Sequence, residues 1–252
     1  MIDFSLLNKI NLRCFYKSFF ILVNPLRFYI YICFPSKSKV IKVRTPIGKV
    51  NICMRNRQSA RTLYSIFVRE DYLIDNKPKN ILDLGSNIGI SAIYFLTRNI
   101  KNRIFCVEPD PNNHYFIERN LNKFSDRSKI SFCAIRSKNE ENKYFNLSKD
   151  GKYSSFNEIG ANFDKKIKVE TLTINDALKD DIFNNNFPIL IKIDIEGLEK
   201  EVINNFDFNS NLRIKQLIAE GTGYKEYINR AGVFEIRNGY VEKYTFIENP
   251  RN

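Results

Sequence analysis

Residues 80–89 read NILDLGSNIG, and 19 positions after Gly89 the run RIFCVEPDP (103–111) reaches Glu108. An apolar segment enters a glycine-containing turn, and a second apolar segment ends on a carboxylate. This order is typical of strands in an open parallel α/β sheet, where ligands bind beyond the carboxyl ends of the strands. The stretch therefore predicts a doubly wound, mostly parallel sheet with a nucleoside-cofactor site.

The spacing of the glycines separates two kinds of cofactor. A dinucleotide site favours G-x-G-x-x-G, because the backbone must approach a pyrophosphate. Here the frame is D-x-G-x-N-x-G, which suits S-adenosylmethionine better than NAD, since that cofactor carries a methionine group, a ribose and an adenine but no phosphate. An NAD-type fold and a plain strand–turn–helix connection are the alternatives.

Each polar position of the frame has an expected role. The predicted cofactor-binding residues are Asp83, Gly85, Ser86, Asn87, Gly89 and Glu108. Asp83 can face the methionine ammonium group directly or through water, and Gly85 lets the backbone pass close to the ligand. The helix that begins near Gly89 presents free N–H groups, which favour a negative charge. Glu108 can accept hydrogen bonds from both ribose hydroxyls.

Alternation of strands and helices continues to the end of the chain. From residue 103 onward, apolar runs predict strands at 103–108, 130–135, 188–197 and 212–221, and Asp110 caps a helix that begins at Pro111. Segments 143–148 and 166–173 bracket a loop that we expect to form an antiparallel excursion over the site. Residues 233–246 predict a hairpin that turns at Asn238-Gly239. Parallel strands with helical crossovers, closed by this hairpin, give the predicted sheet.

A second group of carboxylates follows the strand IKIDIEG (191–197). Asp194 and Glu196 are two residues apart at a strand end, so both could point to one face of the pocket. Glu220 ends the next strand and could join them. Such carboxylates could accept a proton, bind hydroxyls of a substrate or hold a divalent ion through oxygen ligands. Asp194, Glu196 and Glu220 are the predicted catalytic residues, with Asp194 and Glu196 as metal ligands if a metal is bound.

The order of these motifs resembles a known family. NILDLGSNIGISAIYF, VEPDP, IKIDIEGLEKEVI and LIAEG together resemble the FkbM family of S-adenosylmethionine-dependent methyltransferases over about residues 60–245. The resemblance implies a Rossmann-like methyltransferase fold and O-methylation, often of sugars in glycans or natural products. It places the cofactor at Asp83, Gly85, Asn87, Gly89 and Glu108. Its second signature matches Asp194, Glu196 and Gly197.

The first third of the chain is unlike the rest in charge. Residues 1–80 hold 15 Lys and Arg against 4 Asp and Glu, whereas residues 81–252 hold 25 against 24. Such asymmetry points to an anionic partner, with a merely solvated basic surface as the alternative. We expect residues 1–75 to form an extension made of an apolar helical segment, a β-hairpin (39–54) and a helix (57–73), and residues 76–252 to form the methyltransferase domain.

The apolar stretch 18–34, SFFILVNPLRFYIYICF, contains no uncharged run long enough to span a bilayer. It predicts a helix pair broken near Pro25. We expect residues 15–35 to contact a membrane surface, or else to pack on the domain or on a second subunit. Five scattered cysteines without a C-x-x-C motif favour buried free thiols in a reducing compartment, and hence a cytoplasmic protein that could lie peripherally at the inner face of the membrane.

Three function classes remain open at this point. We favour O-methyl transfer to a hydroxyl of a carbohydrate or of another glycan or natural-product acceptor. A nucleic-acid methyltransferase would use the basic first third, but that segment carries no recognisable RNA-binding module. A non-catalytic protein with a retained cofactor fold is the third class. The single histidine, His114, makes a histidine-based triad improbable.

Overall fold

A computed structural model describes residues 12–34, 39–139, 143–148 and 163–247 of the 252-residue chain. Within these ranges the structure contains a seven-stranded central sheet and three two-stranded sheets, and the helices Ile90–Leu96 and Pro111–Leu121, and Ile174–Ala177 and Glu199–Asn204, pack into two separate cores on the central sheet. None of the helices within the described ranges is long and apolar enough to cross a membrane.

The elements before the central sheet are two short helices, a hairpin and a third helix. In chain order they are α1 (Leu12–Ile21), α2 (Pro25–Cys33), β1 (Lys39–Thr45), β2 (Gly48–Met54) and α3 (Arg57–Leu63). Asn24 caps α2 by accepting a hydrogen bond from Arg27 N, and the proline that follows it fits the first helical position. The predicted break near Pro25 is therefore confirmed.

The central sheet alternates with helices along the chain. Its strands and the neighbouring elements are β3 (Asn80–Leu84), α4 (Ile90–Leu96), β4 (Arg103–Val107), α5 (Pro111–Leu121), β5 (Ser128–Ser131), β6 (Ala134–Ile135), β7 (Lys143–Ser148), β8 (Phe163–Val169), β9 (Thr171–Leu172), α6 (Ile174–Ala177), β10 (Ile189–Ile193), α7 (Glu199–Asn204), β11 (Ile214–Glu220), β12 (Gly232–Arg237) and β13 (Val241–Phe246).

The spatial order of the sheet is β12-β13-β11-β10-β3-β4-β5. The five strands from β11 to β5 are parallel, and the hairpin β12–β13 closes the sheet in an antiparallel sense. Strands β3 and β10 are buried along their whole length, as expected for strands covered on both faces. The predicted Rossmann-like, doubly wound class is confirmed. Because β3, β4, β10 and β11 are parallel, their carboxyl ends meet at one edge.

Two local predictions were wrong. The expected strand 130–135 is split, because β5 ends at Ser131 and the separate β6 pairs with β9 outside the central sheet. The helix expected over 57–73 is α-helical only to Leu63 and continues as one π-helical turn, Tyr64–Val68, before Glu70 takes a positive φ of 60°. Apolar periodicity could not reveal a change from α- to π-helical hydrogen bonding.

The elements before residue 76 share a hydrophobic core with the sheet. Phe28, Tyr31 and Phe67 belong to the same buried cluster as Ile93 of α4 and Ile117 of α5. The boundary at 75/76 stays a prediction. Strands β7 and β8 pair in the antiparallel sense expected of an excursion, whereas its tip, 149–162, lies outside the described residues.

Candidate active site

A cavity opens at the carboxyl edge of the sheet, between the ends of β3, β4 and β10. Five predicted site residues line it together, and these are Gly85, Asn87, Glu108, Asp194 and Glu196. The rest of its lining is mostly apolar and comes from α3, β4, β6, β7 and the segments that follow β4 and β10, namely Thr62, Val107, Pro109, Ala134, Ile135, Phe145, Ile195 and Leu198. A few polar groups on an apolar wall are typical of a small-molecule site.

The turn after β3 is held by its own hydrogen bonds. Ser86 Oγ donates to the carbonyl of Asp83 at 2.7 Å, and Gly89 N donates to the carbonyl of Ser86 at 2.8 Å. Asn87 and Gly89 both adopt positive φ values, 50° and 82°, which asparagine and glycine tolerate better than other residues. The frame D-x-G-x-N-x-G therefore encodes a tight left-handed turn that exposes Asn87 to the cavity.

Glu108 joins the two loops at the ends of β3 and β4. Its Oε2 accepts a hydrogen bond from Asn87 N at 2.7 Å, and its Oε1 accepts from Asp110 N at 2.9 Å and from Asn113 Nδ2 at 3.2 Å. Burial raises the pKa of Glu108 to about 7, because its effect is larger than the opposite effect of the hydrogen bonds from these donors. A carboxylate that is costly to ionise here favours a ligand that brings further hydroxyl donors.

Gly85 is required by a contact between two strand ends. Its φ is 76°, and a Cβ at this position would lie 1.8 Å from the carbonyl oxygen of Asp194. The amide of Asp194 in turn donates to the carbonyl of Leu84 at 3.1 Å. We expected this glycine to let the backbone approach a ligand. Within the described structure, the group that lies close to Gly85 is the backbone carbonyl of Asp194.

A buried lysine, Lys192, lies beneath this contact. Lys192 on β10 and Asp83 on β3 are register partners, and Nζ lies 3.1 Å from Asp83 Oδ1. The same ammonium donates to the carbonyls of Leu84 and Gly85 at 3.1 and 2.7 Å. Burial alone would lower the pKa of Lys192, but the charges of Asp83 and Asp194 outweigh it and raise the pKa.

Asp83 has an ion-pair partner on Oδ1 and a hydrogen-bond donor on Oδ2, although Oδ1 accepts no hydrogen bond in the described residues. Besides Lys192, Ser91 Oγ donates to Asp83 Oδ2 at 2.6 Å, and the side chain is wholly buried. Its expected contact with the cofactor ammonium stays a prediction. Within the protein, this carboxylate balances the lysine charge and ties β3 to the start of α4.

Asp194 is held from two directions. Tyr72 Oη donates to Asp194 Oδ2 at 3.1 Å, and Lys192 Nζ lies 3.7 Å from the same oxygen. Burial and then the charges of Asp194, Glu220 and Asp83 raise the pKa of Tyr72, so its hydroxyl stays protonated and serves as a donor. Tyr72 also lines a smaller cavity beside the first one, together with Thr62, Ile66 and Ser86.

The turn after Asp194 is closed by Glu199. Its two carboxylate oxygens accept hydrogen bonds from Ile195 N and Gly197 N, both at 2.9 Å. Glu196 takes a φ of 54°, so the strand alternation from which we argued ends before it. Asp194 and Glu196 nevertheless line the same cavity, because the turn, and not a strand, brings them together.

The remaining predicted residues lie around this centre. Glu220 ends β11, beside β10, and its charge reaches Tyr72 and Lys192. Gly89 packs near Ile117 of α5. In the described parts of the chain, no three His, Cys, Asp or Glu side chains converge as a metal-binding group would.

Sequence reasoning missed Lys192 and Tyr72. Lysine in the middle of ILIKI was the available signal for Lys192, because a charge in so apolar a strand needs a buried partner. Tyr72 had no local signal, since it lies 122 positions from Asp194.

Comparisons with known proteins agree with the cofactor motif. The sequence model of the family described as "Methyltransferase FkbM domain" matches residues 83–247. No curated protein sequence matches the chain significantly.

Similar solved structures include a methyltransferase from Geobacter sulfurreducens, which is 16% identical, with a TM-score of 0.40 over 76% of this chain and 79% of that one. TrmK of M. capricolum in complex with S-adenosyl-homocysteine is 12% identical, with a TM-score of 0.40 over 74% and 68% of the two chains. The N-terminal domain of human METTL16 is 13% identical, with a TM-score of 0.39 over 76% and 70%.

Proposed function

This chain belongs to the FkbM family of methyltransferases, and on that premise we propose that it methylates a hydroxyl oxygen of a carbohydrate acceptor. It is an S-adenosylmethionine-dependent enzyme. The observation that carries the proposal is the position of Asp194 and Glu196 in the same cavity as Asn87 and Glu108. That arrangement supplies a proton acceptor and a hydroxyl-binding group beside the predicted cofactor residues.

We assign the cofactor to the side of the cavity formed by the ends of β3 and β4. Glu108 would bind the ribose hydroxyls, and Gly85 and Asn87 would form the adjacent wall. Val107, Pro109 and Ala134 provide apolar surface there. Ser86, Gly89 and Asp83 would shape the turn beside this wall, since they hydrogen-bond or pack within the protein. The contact of Asp83 with the methionine ammonium group stays a prediction.

When bound, S-adenosylmethionine supplies a methyl group that its sulfonium already activates. A hydroxyl is a weak nucleophile, so a positioned base accelerates its attack. We assign this base to Asp194. In the described residues, Tyr72 and Lys192 both contact its Oδ2, so its Oδ1 would accept the proton of the acceptor hydroxyl. The hydroxyl oxygen would gain the methyl group as the carbon–sulfur bond of the sulfonium breaks, and S-adenosylhomocysteine would leave as the neutral thioether. Glu196 or Glu220 would orient the acceptor.

We also place the protein in the cytoplasm, at the inner face of the membrane, where a lipid-linked glycan would be its acceptor. All five cysteines are free, and Cys53, Cys106 and Cys133 are buried. Free buried thiols support a reducing compartment. The excess of Lys and Arg in residues 1–80 supports a nearby anionic surface.

The test uses S-adenosylmethionine with a labelled methyl group. The full chain is incubated with the glycan, lipid-linked glycan and RNA fractions of the cells from which it comes, with and without EDTA. We expect label in a glycan fraction that survives mild alkali, as an ether does. Label in RNA alone would refute the acceptor class, and loss of activity in EDTA would favour a metal over an unaided base.

The variant Asp194→Asn tests whether Asp194 acts as the base or only helps to bind a ligand. Because the amide keeps the shape but not the basicity, we expect about 10²-fold slower transfer with an affinity for S-adenosylhomocysteine within a few-fold of that of the unmodified protein. Asp126→Asn, at an exposed carboxylate, is the matched control. Near-normal transfer by Asp194→Asn would remove its assignment as the base.

A further inference from the structure

Helix α1 exposes an apolar stripe to its surroundings. Leu12, Phe15, Tyr16, Phe19 and Phe20 recur at helical spacing, and all five are exposed, Phe20 to 76%. The opposite side of the helix is the one that faces the protein, where Ser18 is fully buried. An amphipathic helix normally turns its apolar stripe toward the core, so this helix is oriented the other way.

Helix α2 and the residue after it extend the same exposed surface. Leu26, Ile30 and Phe34 recur every fourth residue and are 70%, 49% and 61% exposed. The inward side of α2 carries Phe28 and Tyr31, both completely buried in the core. We call the exposed apolar side chains of α1 and α2, together with Phe34, the outer face.

Basic side chains border the outer face. Arg13 and Arg27 lie on the two helices, and residues 12–34 contain no Asp or Glu. From strand β1, Arg44 Nη1 reaches the carbonyls of Phe19 and Phe20 at 3.3 Å and that of Leu22 at 2.5 Å. Its cation therefore lies at the carboxyl end of α1, next to two of the exposed phenylalanines, and also binds the last carbonyls of the helix.

From this surface we propose that the outer face binds the surface of an anionic phospholipid bilayer. Aromatic and aliphatic side chains would enter the acyl boundary while arginines contact lipid phosphates, as in interfacial helices. Charge argues against a second copy of this chain as the occupant. A symmetric dimer through this face would place two copies of Arg13, Arg27 and Arg44 around one interface, and the two helices carry no acidic residue to offset these charges.

The inference deepens the proposed action on a lipid-linked glycan, but its test requires no acceptor. The full chain is floated with vesicles of phosphatidylcholine and with vesicles that also contain phosphatidylglycerol, at low and high salt. We expect binding to the anionic vesicles that weakens as salt increases, since exposed charges are screened. A protein that ignores anionic vesicles at low salt would overturn the proposal, even if glycan methylation were established.

Two sets of variants identify the surface. Tyr16→Ser, Phe20→Ser and Leu26→Ser combined should abolish flotation while leaving thermal unfolding and S-adenosylhomocysteine binding unchanged. Ile100→Ser, Leu212→Ser and Val233→Ser combined is the matched control, because these side chains are also 53–68% exposed but lie elsewhere. Arg13→Gln and Arg27→Gln should each weaken binding about fivefold.

Two results would assign the outer face to something else. Equal flotation of the first triple variant and the control would show that the outer face is not the contact. A dimer in solution that the first triple variant converts to a monomer would make a second copy the occupant and overturn the membrane proposal.

Discussion

At the carboxyl edge of the central sheet, charged side chains are buried and bound to one another, whereas on the outer face apolar side chains are exposed and basic ones border them. Lys192, Asp83 and Asp194 illustrate the first case, and Phe20 with Arg44 the second. Both regions reverse the usual distribution of polar and apolar groups between surface and core. The difference is that the first region finds its partners within the chain.

This contrast indicates which properties of the protein a substitution in each region should affect. Removing one member of a buried charged cluster leaves the others unbalanced, so it should affect folding and activity together. Removing a side chain from the outer face should leave the isolated protein unaffected and change only what it binds.

Lys192→Met should have the largest effect on stability. It leaves Asp83 buried without its cation, and loss of one partner of a buried ion pair costs about 3–5 kcal/mol of the free energy of unfolding. Urea unfolding measures this, with Lys101→Met at an exposed lysine as the control. Combining Lys192→Met with Asp83→Asn should cost less than the sum of the two single changes. Simple additivity would show that the two groups are not coupled.

Glu108→Gln should weaken cofactor binding and remove its dependence on pH. Loss of the charged acceptor is worth about 1.5–3 kcal/mol in affinity for S-adenosylhomocysteine. In the unmodified protein, a pKa of about 7 means that the carboxyl is increasingly protonated below neutral pH, and the protonated form is the weaker acceptor for the ribose hydroxyls. Affinity should therefore fall up to about tenfold for each pH unit below 7.

The same pKa has an opposite consequence for the protein without ligand. Because burial raises the pKa of Glu108 in the folded state, the group stabilises the fold at low pH and this contribution is lost as pH rises through 7.

Calorimetric titrations of S-adenosylhomocysteine on either side of pH 7 measure the affinity, with Glu118→Gln on the exposed side of α5 as the control. A pH-independent affinity in the unmodified protein would contradict the ribose assignment.

Tyr72→Phe should have a smaller and more selective effect. It removes one hydrogen bond to Asp194 and nothing else, so we expect turnover to fall about fivefold, the equivalent of about 1 kcal/mol. Affinity for S-adenosylhomocysteine should not change. Tyr115→Phe, on the surface of α5, is the control. If cofactor affinity falls as much as turnover, Tyr72 supports the site only through packing.

Tyr16→Ser with Phe20→Ser should have the smallest effect on the isolated protein. Exposed substitutions usually change the free energy of unfolding by less than about 0.5 kcal/mol, and urea unfolding in the absence of vesicles measures it. A loss well above about 1 kcal/mol would mean that the outer face is packed within the protein in solution.

Much of the fold could be predicted from local patterns. The runs that became β3, β4, β10 and β11, the cap at Asp110 and the closing hairpin are each specified by a few adjacent residues. The split of 128–135 into β5 and β6 could not be predicted, because β6 exists only through its pairing with β9.

Only part of the candidate site could be predicted from the sequence. Residues at strand ends meet once the strands are parallel, so Asn87, Glu108 and Asp194 could be grouped in advance. The ion pair between Lys192 and Asp83 depends on the register of two distant strands, and Tyr72 reaches Asp194 from a segment before the sheet. The sequence around Lys192 and Tyr72 does not indicate which distant residue each of them contacts.

Gly85 and the carbonyl of Asp194 have a consequence for how the cavity is formed. A contact that leaves no space for a methyl group holds the turn after β3 against the turn after β10. Lys192 donates to the carbonyls of Leu84 and Gly85 at the first turn. Those two turns therefore form one continuous wall of the cavity. The opposite wall comes from elements outside the central sheet, where Thr62 of α3 and Phe145 of β7 line the cavity.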